Sequence, residues 1–265
     1  MNEIFLGWDV GAWHCEVGDS RDALCAVVQD RHGEPVLHGR PWRGNLRKIL
    51  NELEGPALVD GMLGLLKIEP LSEGSLTVAI DTPLGWPVAF LDLLLHRRLP
   101  KSIPELQHKN NILFRRTDQI LVENGHRPLS VVQDLISSAS TKGMFFLDRA
   151  RLTQTQPGVW SGHEEPRRLH VTAIETYPAP CKKGMMFEAS VAAIAQAEDF
   201  RKVCERKRHV EADVKDALYC ALVAFDFAHR REHLLSPEAT GNQVPPEEGW
   251  IWVPRACYPN ISRSS

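Results

Sequence analysis

The sequence predicts an α/β fold, one sheet flanked by helices, and three observations predict it. Short apolar runs closed by Gly or Pro, at 4–9, 76–81 and 169–175, read as strands. Stretches with apolar residues every three or four positions, at 45–53 and 212–231, read as helices. The opening order is strand, strand, strand, helix, strand. At 265 residues the chain can hold one large domain, here expected to carry a helical insertion.

Residues 4–9 form the first expected strand, with Asp9 at its carboxyl end on the face of Phe5 and Gly7. Strands at 23–29 and 35–39, joined by the turn Asp30-Arg-His-Gly33, complete an antiparallel meander. A helix at 45–53, with apolar residues at 46, 49, 50 and 53, leads to the strand that ends at Asp81-Thr-Pro83. Proline removes a ladder donor there. Asp81 shares a face with Thr77 and Ala79, small neighbours that leave room for a carboxylate. In open α/β sheets the carboxyl edge is where ligands bind.

Residues 88–168 break the rhythm and read as a helical insertion or cap over the strand ends, with helices at 88–98, 116–124 and 130–138. It carries the basic groups His96-Arg-Arg98 and Arg115-Arg116, the latter followed by Asp118. The next strand ends at Glu175-Thr-Tyr-Pro178, and Glu175 shares the parity of Leu169, Val171 and Ala173. A carboxylate on an apolar parity is costly unless it is paired or bound to a cation. Helices follow at 187–206 and 212–231, and Asp213 and Asp216 lie on one side of the second. The Pro- and Trp-rich tail, 245–259, is expected to pack back as an extended segment.

Composition narrows the function. With 43% hydrophobic and 25% charged residues the chain is expected to fold on its own. A formal charge of −3 argues against a protein that coats nucleic acid, so a phosphate-rich partner needs local basic patches or metal ions. The cysteines at 15, 25, 181, 204, 220 and 257 have no Cys-x-x-Cys spacing and read as reduced thiols of a cytoplasmic protein. No stretch has the length of a membrane span.

Asp9, Asp81, Glu175, Asp213 and Asp216 are thus the candidate acids. If the strands adjoin, the acids converge, and such a cluster needs raised pKa values or a bound cation. Hard oxygen ligands favour Mg2+ or Mn2+, and two ions about 3.5–4 Å apart would serve phosphodiester hydrolysis. The alternatives are bland: an Asp ending a strand is also a turn-former, and Asp213 and Asp216 also suit a helix N-terminus. Arg116 and Lys182 are candidates for holding phosphate, although basic side chains are more often simply solvated. Thr141-Lys142-Gly143 lacks phosphate-loop spacing, and there is no Gly-x-Ser-x-Gly elbow.

The segments Gly7-Trp-Asp9, Ala79-Ile-Asp81-Thr-Pro-Leu-Gly85-Trp-Pro87, Arg116-Thr-Asp118, Glu175-Thr-Tyr-Pro178, Asp213-x-x-Asp216-Ala217 and the Glu248-Gly-Trp-Ile-Trp-Val-Pro254 tail together resemble the family known as domain of unknown function 429. The resemblance implies an RNase H-like fold, a five-stranded mixed sheet with helices on both faces, and a metal-dependent nuclease activity. It implies catalytic roles for Asp9, Asp81, Glu175 and Asp216. Asp213 departs from the family, which often has His there, and the resulting Asp-x-x-Asp is similar to Holliday-junction resolvases.

The leading expectation is therefore a Mg2+- or Mn2+-dependent phosphodiesterase acting on nucleic acid. Two others compete with it. Asp9-Val-Gly11 also looks like the start of the phosphate loop of an actin-like or sugar-kinase-like ATP-dependent phosphotransferase. The acidic charge and the large insertion would also suit a non-catalytic interaction protein on a nuclease scaffold.

Overall fold

The structure, a computed structural model, describes residues 2–14, 21–164, 167–183, 187–205, 208–241 and 243–258; Cys15 lies outside them. A mixed sheet crosses the molecule. Its edge begins with β3 (Pro35–Gly44) and continues through β2 (Asp22–Gln29), β1 (Glu3–Asp9), β4 (Gly74–Asp81), β7 (Leu169–Thr176), β6 (Val159–Glu164) and β5 (Thr153–Gln156). The strands β1, β4 and β7 run parallel, and their outer neighbours run antiparallel. An eighth strand, β8 (Ile251–Trp252), pairs with Glu175 and Thr176, beyond the point where β6 stops.

Among the described residues the sheet therefore has eight strands rather than the expected five. The insertion is also not wholly helical. It holds α3 (Val88–His96), α4 (Arg116–Glu123) and α5 (Ser137–Arg149), but ends in the β5–β6 hairpin, which extends the sheet past β7. The helix expected at 130–138 begins only at Ser137 and runs to Arg149.

Alternation of side chains sorts the sheet into two cores. On one face Phe5, Ala23, Cys25, Val27, Ala79 and Ile174 meet α9 (Arg208–His229). Phe200 of α8 (Glu198–Cys204) and Ile194 of α7 (Glu188–Ala195) join them. These two short helices replace the single helix expected at 187–206. On the other face Leu6, Trp8, Leu24, Val78, Ile80 and Val171 meet α1 (Arg47–Glu52), α2 (Gly55–Leu65) and α5. The tail is not simply extended: Trp252 of β8 lays its ring edge-on against Phe227 of α9, with centroids 4.9 Å apart. The helix α9 is buried between sheet and tail, which explains why its apolar band is wider than one stripe.

Gly7 sets how closely α9 approaches β1. A Cβ there would lie 1.8 Å from the Ala217 carbonyl oxygen and 2.3 Å from the Ala221 nitrogen. Helix backbone thus rests directly on strand backbone, one turn beyond Asp213 and Asp216. Gly7→Ala is expected to destabilise the protein by about 1–3 kcal/mol or more, since backbone on both sides must move. Gly64→Ala, with nothing within 4 Å of the added methyl, is expected to stabilise by about 0.4–1 kcal/mol. Urea unfolding of the two variants checks the contrast.

Candidate active site at the carboxyl ends of β1, β4 and β7

Asp9 and Asp81 end neighbouring parallel strands and are paired in register, so their side chains project together on the face of α9. They border a cavity of about 220 Å³ that is also lined by Thr82, Arg115, Glu175 and Tyr177. Both are partly exposed, and both line this cavity. Burial, with Asp81 next, holds the Asp9 carboxyl well above the usual carboxylate range. Burial, followed by the charge of Asp216, pushes Asp81 up to about 8, while Lys182 pulls the other way.

The two acids of α9 already have cations. Asp216 pairs with Lys182 at 2.5 Å, the lysine belonging to α6 (Pro178–Lys183), a short helix that starts where proline suits a first helical turn. Burial still raises the Asp216 pKa, against the pull of that lysine. Asp213 receives Arg43 Nε at 2.6 Å. Among the described residues no ion pair reaches Asp9 or Asp81.

Glu175 is placed differently. Its register partner is Ile80, not Asp81, so it projects to the opposite face with Val171 and Ala173. There the wholly buried Arg115 donates to both of its oxygens, at 2.7 and 2.8 Å. The same guanidinium donates to both oxygens of Asp118, at 2.9 and 3.0 Å, and to the Glu248 carbonyl at 3.2 Å. All five guanidinium N–H groups are thus used. The Leu84 backbone N–H adds a further bond to Glu175. Burial raises the Glu175 pKa, with Arg115 opposing. Removing one member of so buried a pair costs about 3–5 kcal/mol.

A second buried pair fixes the loop after Asp9. Lys142 Nζ lies 2.5 Å from Asp22, both fully buried, and 3.4 and 3.3 Å from the carbonyls of Gly11 and Ala12. Asp22 also accepts from Trp8 Nε1 and from the N–H groups of Gly11 and Leu46. Gly143 lets α5 come this close: a Cβ there would sit 2.6 Å from Thr82 Cγ2.

Of the residues the sequence singles out, the structure brings Asp9, Asp81, Asp216 and Lys182 together and sets Asp213 beside them, tied to β3. Glu175 shares the cavity rim but is committed to Arg115. Arg116 does not line the cavity; its guanidinium lies near Gln119 and Glu123. Its neighbour Arg115 lines the cavity instead, and the buried pair of Asp22 and Lys142 is not among the residues the sequence singles out for the site. The available signal for Lys142 was its setting, a lysine between Ser140 and Gly143 in a helix whose neighbours are small.

Among the described residues no group of three acids, histidines or cysteines converges as metal ligands. The five described cysteines are free thiols. No described helix is long and apolar enough to cross a membrane. Comparison with family models, with curated proteins and with solved structures returned no match in any of the three.

The raised pKa of Asp81 has a sign that can be measured. The folded protein keeps a proton, up to about pH 8, that the unfolded chain releases near 3.8. The stability this provides is full below the lower value and is lost as pH rises through the higher one. Asp9 acts in the same direction. With a chelator present, the urea midpoint is expected to fall between about pH 5 and 8, and Asp81→Asn to flatten that fall and raise the midpoint at the alkaline end.

Proposed function

We propose that Asp9 and Asp81 form a two-carboxylate centre for Mg2+ or Mn2+ in a phosphodiesterase acting on nucleic acid. The observation that carries this reading is the in-register acid pair, enclosed at the sheet edge with no cation of its own among the described residues. Two carboxylates so placed either share a proton or stay ionised with a cation beside them. The donor set fits a hard divalent cation: Mg2+ is commonly held by one or two carboxylates, with water and substrate phosphate completing the shell. Bound there, the ion would lower the pKa of a water and offset charge on the phosphoryl oxygens.

The chain's own groups have separate tasks in this scheme. Lys182, half exposed and adjacent to the pair, offers its remaining N–H donors to a phosphate oxygen. Asp216, ion-paired with Lys182 and raised in proton affinity by burial, keeps that lysine beside the pair. Glu175 orders the rim through Arg115 rather than serving as a ligand. We read β3-β2-β1-β4-β7, with helices on both faces, as an RNase H-like unit to which β5, β6 and β8 are added.

Titration calorimetry with MgCl2 and MnCl2 tests the proposal. Uptake by the wild-type chain is expected, with affinity at least about tenfold lower in Asp9→Asn and Asp81→Asn and little changed in Arg116→Gln. Metal-dependent cleavage of labelled DNA or RNA should follow the same order. No uptake by the wild type, or equal uptake by Asp81→Asn, would overturn it.

A further inference from the structure

The outer edge of the sheet carries a second feature that the acid pair does not use. Arg21, Arg40, Arg43 and Lys67 surround an open groove of about 400 Å³, floored by Pro41, Trp42, Leu65, Val203 and Val210. No acid lines it. In a chain of formal charge −3, four cations around one groove are a local concentration of positive charge. Arg21, Arg40 and Lys67 are exposed, and among the described residues none of them takes part in an ion pair. Arg43 is anchored on Asp213.

We propose that this groove binds the phosphate backbone of a single nucleic-acid strand. That it is an anion site follows from the charge of its walls; that the anion is nucleic acid rests on the phosphodiesterase reading of the acid pair. Two observations favour a strand over a small phosphate ester. Trp42 is partly exposed and lines the groove between Arg40 and Arg43, an aromatic side chain of the kind on which bases stack. Arg43 is also in register with Ala23, which is in register with Asp9 and so with Asp81. The Arg43 end of the groove therefore lies two strands from Asp9, ~10 Å between backbones at ordinary strand spacing. Successive phosphates of one chain can span that interval. Cations and proline on an edge strand also deter sheet-to-sheet association, but Arg21 and Lys67 lie outside β3 and belong to the same groove.

Fluorescence anisotropy with the whole chain and a labelled single strand of about 15 nucleotides, in EDTA and about 50 mM salt, tests this. The variant combines Arg21→Gln, Arg40→Gln and Lys67→Gln, all exposed side chains; an unchanged urea midpoint verifies its fold. Expected are binding by the wild type, a loss of at least about tenfold in the variant, and a salt slope shallower by about 2, from ~0.7 for each of three phosphate contacts. Asp81→Asn should bind like the wild type. The proposal fails if the wild type does not bind, if the variant binds equally well, or if duplex DNA or polyglutamate binds as tightly. It fails equally if the variant only self-associates. Strand binding in EDTA together with no Mg2+ uptake in the separate calorimetry would refute the acid-pair reading alone, and Mg2+ uptake in the calorimetry without strand binding in EDTA would refute the groove alone.

Discussion

One buried guanidinium holds the strand ends in place. Arg115 precedes α4, yet it bonds Glu175 at the end of β7, Asp118 in α4 and the carbonyl of Glu248 in the tail. Glu175 in turn receives the Leu84 N–H, so the segment after Asp81 is tied into the same cluster. Desolvating a guanidinium and two carboxylates is expensive, and the arrangement persists because every N–H is matched. Glu248 completes it from the other side: its carboxylate accepts from the first N–H groups of both α3 and α4, at Val88 and Arg116. Four distant pieces of chain thus converge on one rigid rim.

That rim throws the acid pair into relief. Asp22 has Lys142, Glu175 has Arg115, Asp213 has Arg43 and Asp216 has Lys182. Asp9 and Asp81, on adjoining strands, have no such partner among the described residues. Gly7 draws α9 down onto β1 and so brings two further negative groups towards them. Among the described residues the other acids at this edge each have a cation beside them, and the contrast with Asp9 and Asp81 is what supports the cation-binding proposal.

Much of the architecture could be read from local pattern. The meander, β4, β7 and α9 carry strong period-two or helical signals, and Asp9 and Asp81 fall at strand ends because Gly and Thr-Pro stop those strands. Register could not be read. Parity put Glu175 with Val171 correctly, but nothing local reveals that β4 and β7 are offset so that Ile80 faces it. The β5–β6 hairpin escaped because Thr153–Gln156 is polar and exposed, an edge strand without an apolar signature. Pro178 read as the end of a strand, which it is, but it also opens α6, and that helix delivers Lys182. Gly85 makes sense only with the tail in place, since a Cβ there would meet the Glu247 carbonyl oxygen at 2.5 Å.

The reach of the tail has a temporal consequence. Asp9 and Asp81 belong to the first third of the polypeptide, whereas Glu248 and β8 lie near residue 250. During synthesis the amino-terminal meander can pair as it emerges, while the starts of α3 and α4 still lack the carboxylate that caps them. The cavity gains its wall at Ile251 only after every other residue that lines it, from Asp9 to Tyr177, has been synthesised.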